Sequence, residues 1–156
     1  MRPEYDHGNA EAWLRYARSD FEVARFPAVP GILLETLCFH AQQTAEKSLK
    51  AVLIARGIDF PRTHSLRRLL DLLPAEIAIP ATIQAVARLT DYAVLSRYPG
   101  DLEPVEAQEY RETIRLAEAV LAWAENMIRD RIGVAPETPL EQQAAQPCER
   151  AEEEKP

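Results

Sequence analysis

The chain is poor in the residues that most often announce chemistry. Its 156 residues include only 5 glycines, 2 cysteines and 3 histidines. So few glycines leave no glycine-rich loop of the kind whose backbone N–H groups cradle phosphate. Cys38 sits in an apolar stretch and Cys148 in a polar one. They make no disulfide framework and fit no zinc spacing, which suits a reducing, cytoplasmic setting. His7, His40 and His64 are not at metal-ligand spacing, so no metal and no other cofactor is expected. HExxH, CxxC and GxSxG do not occur. No run approaches the roughly 18 apolar residues of a membrane span, and MRPEYDHGNAEAW lacks the basic-then-apolar order of a signal peptide. Positive charge is also in deficit. A formal charge of -7 argues against coating nucleic acid by bulk electrostatics, though it leaves room for a local basic patch.

What is present is helical periodicity. Asn9 is placed to cap a helix over 10–26, with Trp13, Tyr16, Ala17, Phe21 and Ala24 on one face. PAVPG at 27–31 ends it, because two prolines cannot continue the hydrogen-bond ladder. The stretch 31–57 is expected to form one long helix, preceded by a break at Pro30-Gly31 and stopped by Gly57. Leu34, Leu37, Cys38, Ala41, Ala45, Ser48, Leu49 and Val52 fall in one arc on a helical wheel and form its core face. Ile32, Phe39, Leu53 and Ile54 fall outside that arc. A helix apolar on more than one side is central in a bundle, at a subunit interface, or both. Glu46 and Lys50 make an i,i+4 pair in the favourable order, expected to be worth only a few tenths of a kcal/mol.

After the GIDFPRTHS loop, Ser65 or Thr63 caps a short helix, SLRRLLDLLP, ended by Pro74. A fourth helix is expected over 80–97, with Ile83, Val86, Ala87, Thr90, Ala93, Val94 and Arg97 on its face. It stops at RYPGD. A fifth begins near 102–105, with Pro104 in its first turn, and runs to about 132. Its inner face is Tyr110, Ile114, Ala117, Leu121, Ala124 and Ile128. No strand pattern and no repeat is visible. The expected organisation is a flexible lead-in (1–9), a helical domain (10–132) and a disordered acidic tail (133–156) too poor in apolar surface to order itself. The fold class is all-α: an up-and-down bundle of about five helices, four long and one short.

Three clusters of side chains are candidates for function. His40, Gln43, Lys47 and Lys50 recur at i, i+3, i+7 and i+10, on the side expected to oppose the core arc. Their donors can engage phosphate oxygens or carboxylates, and the same stripe also reads as an ordinary solvated face. His64 is an acid–base candidate near neutral pH, or a loop histidine that packs. Arg62, Arg67 and Arg68 surround it in the most basic segment of the chain. Arg97 suits a helix C-terminus through the macrodipole, and Tyr98 beside it can stack on a base or fill a gap between helices. Cys38 reads as a small buried hydrophobe.

The runs CFHAQQTAEKSLKAVLIARG, THSLRRLL and DYAVLSRYPGD, with WLRYARSDFEVA ahead of them, resemble the HEPN domain family over about residues 10–130. The resemblance implies a dimerising helical bundle encoded beside a small nucleotidyltransferase, in some cases as a toxin–antitoxin pair. It also implies nucleotide or RNA binding, for which Lys47, Lys50, His64, Arg97 and Tyr98 are the candidates. Many such proteins are metal-independent ribonucleases that use an arginine followed, after four to six residues, by a histidine. Counted from Arg97, that histidine would stand at 102, 103 or 104, where this chain has Leu102, Glu103 and Pro104. The expectation is therefore a dimeric binding module. A divergent ribonuclease using Arg97 and His64, and a purely structural dimeric partner, are the alternatives.

Overall fold

The computed structural model describes residues 8–26, 29–95 and 103–132. The lead-in up to residue 7, the RYPGD turn with Arg97 and Tyr98, and the acidic stretch from 133 with Cys148 lie outside the described residues. Among the described residues all regular structure is helical: α1 (Ala10–Ala24), α2 (Leu34–Ala55), α3 (Leu66–Asp71), α4 (Ala81–Gln84), a 3-10 segment (Ala85–Asp91), α5 (Tyr92–Leu95) and α6 (Ala107–Ile132). The all-α bundle expected from the periodicity is what forms.

The three long helices pack against one another, with α2 between α1 and α6. Their closest approach is marked by small residues. Ala24 of α1, Ala41 of α2 and Ala117 of α6 form one fully buried cluster. Tyr110 of α6 donates its hydroxyl to the Ala24 carbonyl at 2.7 Å, which satisfies a free acceptor in the last turn of α1. At the other end of α1, the Asn9 side chain accepts from Ala12 N at 2.8 Å, the N-cap that the sequence suggests. The face of α1 is narrower than expected. Leu14, Ala17 and Ala24 are buried, whereas Tyr16 is 59% exposed.

Helix α2 is the centre of the molecule. From Ala41 to Val52, its apolar arc joins the core as expected. Leu53, expected outside that arc, is also fully buried, so it is a core residue and not part of an outer surface. The reason is geometric: α3, α5 and the 3-10 segment cover the sides of α2 that α1 and α6 leave open. Ile54 packs partly against the same core, Phe39 is half-buried, and Ile32 is exposed.

The helix expected over 80–97 is broken into α4, the 3-10 segment and α5. Its buried residues explain the break. Ile83, Val86, Leu89 and Tyr92 recur every third position, and a helix of 3.0 residues per turn stacks them on one face. A period of 3.6 cannot do so. That is why Ala87 and Thr90 end half-buried and Val94 exposed, while Leu89 joins the core. α6 begins at Ala107, so Pro104 precedes the helix instead of occupying its first turn. Its buried stripe includes the expected Ala117, Leu121, Ala124 and Ile128, together with Leu116 and Val120.

Gly57 ends α2 in a left-handed conformation at φ +68. Its N–H donates to Ile54 O at 2.9 Å and that of Ile58 to Leu53 O at 2.9 Å, the paired bonds of a Schellman cap. A Cβ at this position would meet nothing within 4 Å, so the requirement for glycine lies in the backbone alone. Gly57→Ala is expected to destabilise the chain by about 1–2 kcal/mol, the cost of a left-handed L-residue. Gly57→Asn should cost less, because asparagine tolerates that region. Equal denaturation midpoints for Gly57→Ala and the parent protein would contradict this account.

Candidate functional site

The core side of α2 holds charge as well as apolar groups. The Glu46 side chain is 5% exposed and that of Lys50 9%, with the ammonium 2.7 Å from Glu46 Oε1. Gln42, fully buried one turn earlier, donates through Nε2 to Glu46 Oε2 at 3.0 Å and to the His64 carbonyl at 3.3 Å. His64 Nδ1 lies 3.0 Å from the same Oε2. The backbone and the ring of one loop residue are therefore both fastened by buried side chains of α2. The ring itself remains open, with its side chain 59% exposed. Lys50 is covered by two aromatic rings, its ammonium 5.4 Å from the Trp13 centroid and 5.5 Å from that of Phe60. Such contacts favour a cation removed from water.

A second carboxylate is arranged in the same way. Asp20 of α1 takes His40 Nδ1 on Oδ1 at 2.9 Å and the Lys47 ammonium on Oδ2. Lys47 also donates to Gln43 Oε1 at 3.2 Å, and Gln43 Nε2 donates to Gln42 Oε1 at 2.8 Å. Two groups, each a lysine and a histidine on one carboxylate, are thus joined by a pair of adjacent glutamines. The chain of contacts runs from His40 to His64. Hydrogen bonds in such a series polarise and strengthen one another in a low dielectric.

The sequence-derived candidates separate on this map. Lys50 does not stand on an outer stripe opposite the core, as expected; it is buried beneath Trp13 and Phe60. The physical reason is the central position of α2, which covers its flanks and forces Lys50 onto Glu46. His40, Gln43 and Lys47 are half-buried and face α1 through Asp20. His64 joins this network from the 61–65 loop, and Arg62, Arg67 and Arg68, its neighbours in sequence, are exposed. Arg97 and Tyr98 lie outside the described residues. Gln42 was not singled out by sequence reasoning, and Glu46 stood there only as the partner of Lys50 in a weak i,i+4 pair, not as the hub of the arrangement. Their signal is the spacing Gln42, Glu46, Leu49, Leu53, which places both on a stripe shared with buried leucines.

The charge states follow from these contacts. Burial alone pushes the Glu46 carboxyl up, but Lys50, Gln42 and His64 together outweigh it and hold Glu46 below its usual 4.5. Glu46 is thus ionised near neutrality and accepts only. The His64 nitrogen that meets it carries the hydrogen, and in the neutral ring Nε2 keeps the lone pair. Burial likewise pushes the Cys38 thiol up to about 12, as befits a packed hydrophobe and not a nucleophile. Elsewhere on the bundle, a cavity of about 570 Å³ is lined by Arg88, Tyr92, Glu109, Glu112 and neighbouring residues. None of the candidates named from the sequence lines it. Among the described residues, no group of three or more His, Cys, Asp or Glu side chains can hold a metal ion. No helix there is long and apolar enough to cross a membrane.

Glu46 makes a testable contribution to stability. Because its folded pKa is depressed, that contribution is present above its usual 4.5 and is lost as pH falls through the lower folded value. Glu46→Gln leaves Lys50 buried without a counter-charge and is expected to cost about 3–5 kcal/mol at neutral pH. Combining it with Lys50→Met should recover part of that loss, as replacement of a whole buried pair is far milder. Chemical denaturation at pH 7 and at pH 3 measures both effects. A double variant less stable than Glu46→Gln alone would contradict the pairing.

Comparison with known proteins agrees with the sequence resemblance. The HEPN domain model matches residues 10–127. MJ1304 of Methanocaldococcus jannaschii, whose name describes it as a candidate toxin, is 27% identical over 146 residues, covering 80% of this chain and 91% of its own. The crystal structure of TT1696 from Thermus thermophilus superposes with a TM-score of 0.66 at 32% identity, covering 76% of this chain and 97% of that one. That of ST0689, described as an archaeal HEPN homologue, gives a TM-score of 0.59 at 32% identity, covering 78% and 98%. An arginine and a histidine do occur at the ribonuclease spacing, at Arg2 and His7, but they precede the matched segment and lie outside the described residues. With α1, α2, most of α6 and the α2 network inside the matched region, the chain belongs to the HEPN domain family.

Proposed function

We propose that this HEPN protein is a homodimeric partner of a small nucleotidyltransferase, in a pair of the toxin–antitoxin kind. In this reading it binds nucleotide or RNA phosphates on the face that carries His64. The observation that carries it is the double fastening of His64. Gln42 holds its carbonyl and Glu46 its ring, yet the side chain is open to solvent, and three arginines within four residues of it in sequence are exposed. Burying polar groups to orient an exposed one costs stability, which a recognition role accounts for. Arginine and imidazole donors suit phosphate oxygens. Lys47 and Lys50 are each engaged by a carboxylate, so they frame the site more than they supply its charge. Arg97 and Tyr98 remain candidates for the same ligand. The name of MJ1304 supports the toxin–antitoxin setting. For the dimer and its partner, the support is the exposed apolar run Phe26, Val29, Ile32 and Leu33 between α1 and α2.

A second reading is favoured by one feature. Glu46 fixes the His64 tautomer so that Nε2 can accept a proton, as a general base must. A divergent ribonuclease would use it with Arg97. Growth arrest on expression, together with RNA cleavage lost in His64→Ala, would select this reading over binding alone.

For the binding reading, fluorescence anisotropy with ATP, GTP and a short RNA is the test. His64→Ala combined with Arg67→Ala and Arg68→Ala is expected to weaken binding by roughly tenfold or more. The slope of log affinity against log salt should shrink by about one for each phosphate that is no longer neutralised. Unchanged affinity and an unchanged salt slope would remove the proposed face.

A further inference from the structure

The junction of α1 and α2 carries a cavity that neither the family comparison nor the His64 face accounts for. It measures about 260 Å³ and is lined by Ala12, Trp13, Tyr16 and Lys47. Its aromatic walls are held differently. Trp13 is anchored from the interior, packing edge-on to buried Phe60 at 6.2 Å and 88°, with the buried Lys50 ammonium 5.4 Å from its ring centre. Tyr16 stands at the cavity with 59% of its surface exposed, although helical spacing assigns it to the core face of α1. The Arg15 guanidinium lies 5.7 Å from the Tyr16 ring centre. Lys47 lines the cavity with its aliphatic stem, because Asp20 and Gln43 hold its ammonium.

These features match one kind of occupant. Two aromatic walls favour a planar ring that stacks. The volume falls below the roughly 300–1,000 Å³ that encloses a whole small-molecule ligand, so one ring system fits with its remainder outside. The Trp13 wall touches Lys50, Lys50 touches Glu46, and Glu46 holds His64, so the cavity and the basic loop share one rigid frame. We propose that this cavity is a stacking site for a nucleobase, whether of a free nucleotide or of an RNA strand. The proposal rests on the nucleotide- or RNA-binding reading above and adds to it the place where the base sits.

The test uses the full chain carrying Trp123→Phe, which leaves Trp13 as the one tryptophan. Its fluorescence is titrated with AMP, with a six-nucleotide RNA and with ribose 5-phosphate, which has no base. AMP or the RNA is expected to quench Trp13, and ribose 5-phosphate is expected not to. Quenching by AMP assigns the base to a free nucleotide; quenching by the RNA alone assigns it to a strand. Tyr16→Ala removes an exposed side chain and Ala12→Leu fills the cavity; each should raise Kd roughly tenfold or more, with circular dichroism unchanged. If AMP or RNA binds and both variants keep the parent Kd, the stacking site is wrong while phosphate binding at the His64 face stands. If neither ligand binds the parent protein, both readings fail.

Discussion

One buried carboxylate organises this molecule. Glu46 sits in the middle of the central helix, where a charge without partners would be intolerable. Lys50 occupies one oxygen, and Gln42 and His64 share the other. Each of those partners reaches a different part of the fold. Lys50 lies against Trp13 of α1 and Phe60 of the following loop, Gln42 reaches the His64 backbone, and His64 ties in the loop that leads to α3. The ion pair therefore ties both α1 and the loop to α2.

Around that hub the bundle is built by simple size rules. Alanines let the three long helices meet, and leucines fill the space on either side. The Asp20 group repeats the plan of the Glu46 group closer to the surface, and Gln42 with Gln43 links them. Functionally, the effect is to immobilise His64 and Lys47 without burying His64. Sites that bind or react gain from donors held in place beforehand, since less ordering is left for the moment of binding. The family's ribonuclease pair cannot be formed from Arg97, because no histidine follows residue 64. That directs attention to the groups this chain does hold rigidly.

Much of the fold was legible in the sequence, for physical reasons that can be named. Asn9 and Gly57 mark helix ends because their side chain and backbone do something other residues do poorly there. The α2 arc was legible because its period is 3.6. The stretch 81–95 reads as one helix because Ile83, Val86, Ala87, Thr90, Ala93 and Val94 fit an α-helical face, and that fit hides the every-third repeat of Ile83, Val86, Leu89 and Tyr92 that the core uses. The candidate site was legible in its members but not in its wiring. His64, Lys47 and Lys50 stand out as polar residues, yet a helical wheel treats polar as outward. It takes the neighbours on every side of α2 to show that Lys50 points inward, and nothing in a single helix reveals that a loop histidine will complete its carboxylate. Arg97 and Tyr98 fall outside the described residues, so their part rests on the family resemblance.

Glu46 holds the His64 ring in one orientation and one tautomer. Long-range proton–nitrogen NMR of the imidazole groups, at a pH where His64 is neutral, reads this directly. His64 is expected to carry its hydrogen on Nδ1, against the Nε2 form that an unconstrained histidine prefers, and Glu46→Leu combined with Lys50→Met, which removes the acceptor without stranding a buried charge, is expected to abolish the preference. A His64 that is mainly Nε2-protonated in the parent protein, or a tautomer that the double variant leaves unchanged, is the result that overturns it.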